Sequence, residues 1–122
     1  VAGDGGTIAW PLAIGPMLAK RYLLTGDPID AQEAMRLGLV AETTTDARSC
    51  QEAAMAWAPR LAAGAPLAIQ YTKQAVNAWI KETTGSTFDL STALEIATFA
   101  SDDHAEALNA LANKRNPSFT GR

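Results

Sequence analysis

Apolar positions along the chain recur at three- and four-residue steps for most of its length, and glycine and proline interrupt them. After a glycine-rich start, Thr7 is suited to cap a short helix over 7–14, with Pro11 near its tolerant first turn and Gly15 as its stop. Pro16 suits the first position of a second helix over 16–24. Thr25-Gly26-Asp27-Pro28 reads as a turn. Asp30 is a good N-cap for a helix over 31–37, Glu33 completes a capping-box-like pair, and Gly38 ends it. Residues 39–41 then form at most a very short strand, or an extended exit.

Asp46 caps a longer helix through 63, in which Cys50, Ala54, Trp57 and Leu61 share a face. Pro59 lies inside it and predicts a kink or a local break. Gly64 and Pro66 separate it from a helix over 67–82 with Ile69, Thr72, Val76, Trp79 and Ile80 on one side. Thr83-Thr84-Gly85-Ser86 reads as a turn before a helix over 87–100. Ser101 caps a last helix to 114, with Asp102 and Asp103 at the positive end of its dipole. Asn116-Pro117 closes it and leaves a tail over 118–122. Seven helices make the chain mainly α, and Trp10, Trp57 and Trp79 are expected to fill its core.

Composition narrows the function classes. With 122 residues, 48% of them hydrophobic, the chain fits one domain with a core of ordinary size. A net charge of −3 with interspersed signs offers no basic stripe for phosphates, which argues against nucleic acid as a partner. The longest apolar stretch, 8–19, is interrupted by Pro11, Gly15 and Pro16 and falls short of the roughly 20 residues that span a bilayer. No membrane span and no signal peptide are expected, and cytoplasm is the default location. Cys50, the single cysteine, allows no internal disulfide and fits a reducing compartment as a small semi-buried residue. Thiol catalysis would need a base, and the single histidine, His104, lies in another helix. The chain opens without Met on a glycine turn, which reads as a polypeptide entered midway.

Three stretches carry a family resemblance. Gly3-Asp4-Gly5-Gly6-Thr7 is similar to the Pro-Gly-x-Gly-Gly-Thr turn of enoyl-CoA hydratases. The stretch from Leu24-Thr25-Gly26 through Ile29, Ala31, Glu33-Ala34 and Gly38-Leu39-Val40 resembles that family's Leu-Thr-Gly-x-x-Ile-x-Ala-x-Glu-Ala-x-x-x-Gly-Leu-Val signature. Ser101-Asp102-Asp103, Glu106 and Lys114-Arg115-Asn116-Pro117-Ser118-Phe119-Thr120-Gly121-Arg122 resemble its last helix and its Lys-Arg-x-Pro-x-Phe-x-Gly-Arg ending. On these residues the chain resembles the C-terminal part of an enoyl-CoA hydratase/isomerase (crotonase-superfamily) subunit. It departs from the pattern at Ile8-Ala9-Trp10, where common hydratases have Gln-Arg-Leu, and at Ala107 and Asn113.

The resemblance implies the mainly helical C-terminal region of an α/β crotonase fold. Residues 1–45 would supply the acyl-pocket turn and short helices, and 46–122 a trimerisation and CoA-edge region. It implies an acyl-CoA substrate, no tightly bound cofactor and no metal, coenzyme A entering as part of the substrate, and a homo-trimer or hexamer. Hydration or isomerisation of an enoyl thioester passes through an enolate whose oxygen needs preorganised donors. In the family those amides and the catalytic glutamates precede the point where this sequence starts, so the isolated chain is expected to be inactive. Asp4 stands where the dienoyl-CoA isomerases of the family carry an acid/base, within a turn whose Gly3, Gly5 and Gly6 would allow close approach to an acyl chain. The other reading of Asp4 is a carboxylate that organises its own turn. Leu111 would lie under an adenine and Lys114 beside a CoA phosphate, although a lysine there also complements the helix dipole. Phe119 is expected to anchor the tail, and Glu33 to act as a cap. The alternative function is a non-catalytic helical oligomerisation or binding module.

Overall fold

The computed structural model describes all 122 residues and contains five helices and no strand. They are α1 (Gly6–Thr25), α2 (Ala31–Leu37), α3 (Ala47–Ala62), α4 (Pro66–Phe99) and α5 (Asp102–Ala112). Gly15 leaves the helical region (φ 77°, ψ 157°) and divides α1 into the two pieces that its sequence predicts. Thr7 does not cap it: the N-cap is Gly5, and the Thr7 hydroxyl turns to α4. Residues 39–41 are bends rather than a strand, because Leu39 and Val40 return their N–H groups to the Ala34 carbonyl past the left-handed Gly38.

Local capping follows the sequence closely. Asp30, Asp46 and Ser101 each accept from the backbone N–H three residues on, at 2.8, 2.8 and 3.1 Å. Glu33, however, does not complete a capping box. Its carboxylate takes two bonds of 2.6 Å from Arg36 and one of 3.3 Å from the Tyr22 hydroxyl, so it ties α2 to α1.

Two expected breaks are absent. α3 runs through Pro59 to Ala62, since a proline only three residues from the end forfeits one ladder bond, to the Met55 carbonyl. The segment 83–86 is helical, which merges two expected helices into the 34 residues of α4. Thr83 and Thr84 hydroxyls bond the carbonyls of Trp79 and Ile80 at 2.8 and 2.7 Å, so their polar groups are satisfied inside the helix. Gly85 costs about 1 kcal/mol there relative to alanine, too little to end so long a helix.

The principal helix contacts are α1 with α4 and α4 with α5. These contacts do not make an ordinary core. Only Gly3, Ala19, Tyr22, Ser91 and Ala110 are buried. Trp57 and Trp79 stand 48% and 57% exposed, Trp10 is half-buried, and Cys50 is exposed, contrary to their expected burial. The chain presents 9462 Å² to solvent, whereas a compact monomer of 12.8 kDa presents roughly 6,300 Å². The excess is of the size that a large permanent interface removes. Helical periodicity fixed which residues share a face; what those faces cover lies outside the contacts of these 122 residues. No helix is long and apolar enough to cross a membrane.

Candidate functional site

The glycine turn over 3–7 is built onto the C-terminal half of α4. Gly3 is buried, and its N–H donates to Glu95 Oε1 at 3.1 Å, across 92 residues of sequence. One turn earlier on the same helix face, the buried Ser91 pairs its hydroxyl with that of Thr7 at 2.5 Å. A Cβ on Gly3 would lie 2.7 Å from the Ser91 carbonyl oxygen and 2.6 Å from Glu95 Cβ, so only glycine allows this approach. Gly5 follows with φ 131° and serves as the N-cap that starts α1.

Beside this turn, the first half of α1 and the middle of α4 enclose an open groove of about 790 Å³. Gly5, Ile8, Ala9, Leu12 and Ala13 form one wall. Asn77, Trp79, Ile80, Lys81, Thr84, Gly85 and Phe88 form the other. The lining is apolar apart from Asn77, Lys81 and Thr84, and no carboxylate borders it. An extended hydrocarbon fits such a surface better than a polar ligand does.

Asp4 is exposed at the tip of the turn, between Gly3 and Gly5, and its carboxylate makes no hydrogen bond with the chain. The reading of Asp4 as the organiser of its own turn therefore has no contact behind it. Glu95 and the Thr7–Ser91 pair hold the turn instead. Gly6 is half-buried against Ala2 and Leu23.

Leu111 and Lys114 belong to a second region and do not meet the groove. Leu111 is 76% exposed on the last turn of α5. Lys114 lies just past the C-cap Asn113, in the left-handed region with φ 50°, and its N–H returns to the Leu111 carbonyl at 3.2 Å. The left-handed step turns the chain so that Arg115 reaches back to Glu106 through two bonds of 2.5 and 2.7 Å. Glu106 also accepts from the Ser118 N–H at 2.9 Å. Asp103 accepts from the N–H groups of Thr120 and Gly121 at 2.7 and 2.8 Å. These two carboxylates strap the tail over 118–122 onto α5. The Arg115 guanidinium and the Ser118 amide hold the Glu106 carboxyl down at about 2. The Thr120 and Gly121 amides lower that of Asp103. Phe119, expected as the anchor, is 60% exposed; the anchoring is polar.

Glu95, Ser91 and the α4 wall of the groove were not singled out from sequence. A signal was available, because Ser91 and Glu95 stand one helical turn apart and so share a helix face. Its meaning needed the partner turn, which lies at the other end of the chain.

The enoyl-CoA hydratase/isomerase family profile matches residues 1–122, the whole chain. The chain belongs to that family. It is 36% identical over 125 residues to the enoyl-CoA isomerase/hydratase fer4 of Mycosarcoma maydis, a match covering 100% of this chain and 44% of that protein. A solved carnitinyl-CoA dehydratase from Mycobacterium avium superposes with a TM-score of 0.90 at 29% identity, over 100% of this chain and 48% of that one. The enoyl-CoA hydratase of Mycobacterium tuberculosis, at 32% identity and the same coverage, gives a TM-score of 0.59. The structural match thus differs between relatives of similar identity, 29% and 32%. The chain spans less than half the length of these relatives, and its fold is a mainly α portion of the crotonase fold.

Proposed function

We propose that this chain supplies the acyl-pocket wall and the CoA edge of an enzyme that hydrates an enoyl-CoA or moves its double bond. The observation that carries the reading is the apolar groove of about 790 Å³ lying directly against the family's glycine turn. Residues 1–45 contribute the turn and one groove wall, and residues 46–122 the other wall, the CoA edge and the subunit contacts. The exposed apolar faces support assembly into a homo-trimer or hexamer with the polypeptide that carries the polarising amides and glutamates. Asp4, unpaired at the tip of the turn, is the candidate acid/base, and Lys114 with Leu111 the candidate contact for the CoA phosphate and adenine. A reducing setting such as the cytoplasm suits the exposed single thiol of Cys50.

Apart from the candidate acid/base Asp4 and the CoA contacts, the reaction asks of this part of the molecule chiefly shape and exclusion of water. An enolate oxygen requires fixed donors and the α-carbon requires a proton shuttle. A dry wall beside them strengthens both. The test is to assay the full-length enzyme on enoyl-CoAs of increasing chain length, then to fill the groove with Ala13→Phe. Turnover falling selectively for the longer acyl chains supports the reading. No turnover of any enoyl-CoA, or an unchanged chain-length preference, contradicts it.

A further inference from the structure

We infer that Glu95 is the positioning residue for the Gly3–Thr7 turn, holding Asp4 and Gly5 in register with the groove through the Gly3 N–H; this rests on the enoyl-CoA reading above. The geometry is specific. Gly3 and Glu95 are separated by 92 residues, yet the carboxylate accepts the Gly3 N–H at 3.1 Å, in a place where Gly3 itself is buried. A buried backbone donor left without an acceptor is costly, so this bond selects one position of the turn. The Thr7–Ser91 hydroxyl pair at 2.5 Å fixes the other end of the same turn to the same helix face. Between these two attachments lie Asp4, exposed and free, and Gly5, which lines the groove. Two bonds, one at each end, prevent the turn from sliding or swinging, while the absence of a side chain on Gly3 lets it sit flush on the Ser91 carbonyl.

Other side chains leave Glu95 free for this task. No Lys or Arg forms an ion pair with it; the salt bridges of the chain are Arg36–Glu33, Arg48–Glu52 and Arg115–Glu106. Its polar contact is the turn itself. Glu95 is not a catalytic residue, since it faces the base of the turn rather than the groove lining. Its effect on catalysis comes through the placement of the residues above it, and misplacement by about 1 Å is enough to cost up to about a hundredfold in rate.

The test compares Glu95→Ala and Glu95→Gln in the full-length enzyme by two readouts, steady-state kinetics and hydrogen exchange of the Gly3 amide. Glu95→Ala is expected to lower kcat by about tenfold or more with little change in KM. It should also speed Gly3 exchange relative to the rest of the protein. Glu95→Gln keeps an acceptor oxygen at the same reach and is expected to recover most of both losses. Should Glu95→Ala fail to fold, Glu95→Gln beside Ser91→Ala decides, with protected Gly3 in the first and a looser turn in the second supporting the inference. Gly3 protection and kcat both unchanged in Glu95→Ala would overturn it. So would Glu95→Gln losing activity while Gly3 stays protected, because the role would then not pass through the amide. A wild-type enzyme inactive on every enoyl-CoA counts against the functional reading, while the exchange comparison still decides the attachment.

Discussion

Replacing Gly3 with alanine drives a methyl group into α4. The new carbon would stand 2.6 Å from Glu95 Cβ, 2.7 Å from the Ser91 carbonyl oxygen and 2.9 Å from Glu95 Oε2. Ordinary carbon contacts begin near 3.5 Å, so the overlap is about 1 Å. Glu95 could turn its carboxylate aside, but the Ser91 carbonyl belongs to the ladder of a continuous helix and cannot. The turn must therefore retreat, which stretches the 3.1 Å bond from the Gly3 N–H past useful hydrogen-bond length. Overpacking of this kind costs about 1–3 kcal/mol, and loss of a bond to a charged acceptor adds about 1.5–3 kcal/mol, so a loss of at least about 2 kcal/mol is expected. Gly85→Ala is the matched control. An added Cβ at Gly85 meets nothing within 4 Å, and the residue is helical, so alanine is expected to stabilise by about 1 kcal/mol. Urea unfolding of the full-length protein, read as a shift in midpoint at constant slope, measures both. A Gly3→Ala midpoint equal to that of wild type, or shifts of the same sign in both variants, would refute the reasoning.

Acid should release the tail late. Glu106 is held at about 2 by Arg115 and the Ser118 amide, below its ordinary value of 4.5, so its contribution is complete above roughly 4.5 and lost as pH falls through about 2. The Ser118 amide resonance is expected to titrate with a midpoint near 2, and a midpoint near 4.5 would show that the strap does not form. Asp103, lowered by the Thr120 and Gly121 amides, should likewise titrate below its ordinary value of 3.8. Lys114→Gln is expected to raise KM for CoA thioesters by about two- to fivefold with kcat unchanged, an effect that shrinks with salt, since an exposed ion pair contributes at most about 1 kcal/mol. No change in KM at low ionic strength would remove Lys114 from the CoA edge.

Much of the fold was legible because the signals are local. Asp30, Asp46 and Ser101 cap the helices they were expected to cap, and Gly15, Gly26 and Gly38 interrupt or end helices through positive φ. Thr7 and Glu33 were expected to cap and Phe119 to anchor the tail, and none does; two further kinds of miss are more general. At Pro59 and Thr83-Thr84-Gly85-Ser86, residues with poor helix propensity were read as breaks, yet single unfavourable residues cost too little to stop a helix whose other bonds are made. At Trp57, Trp79 and Cys50, helical spacing was read as burial, but spacing defines a face and not its partner. The site divides in the same way. The turn carrying Gly3, Asp4, Gly5 and Gly6 was evident from its own residues, whereas Glu95 and Ser91 became meaningful only when α4 brought them beneath it.

These helices are proposed to wall an acyl-thioester pocket whose polarising amides and glutamates are not among these 122 residues. The most direct measurement is the loss of conjugated-thioester absorbance when the 122-residue chain alone is mixed with an enoyl-CoA. No turnover above the uncatalysed rate is the predicted result; efficient turnover by these residues alone would contradict it.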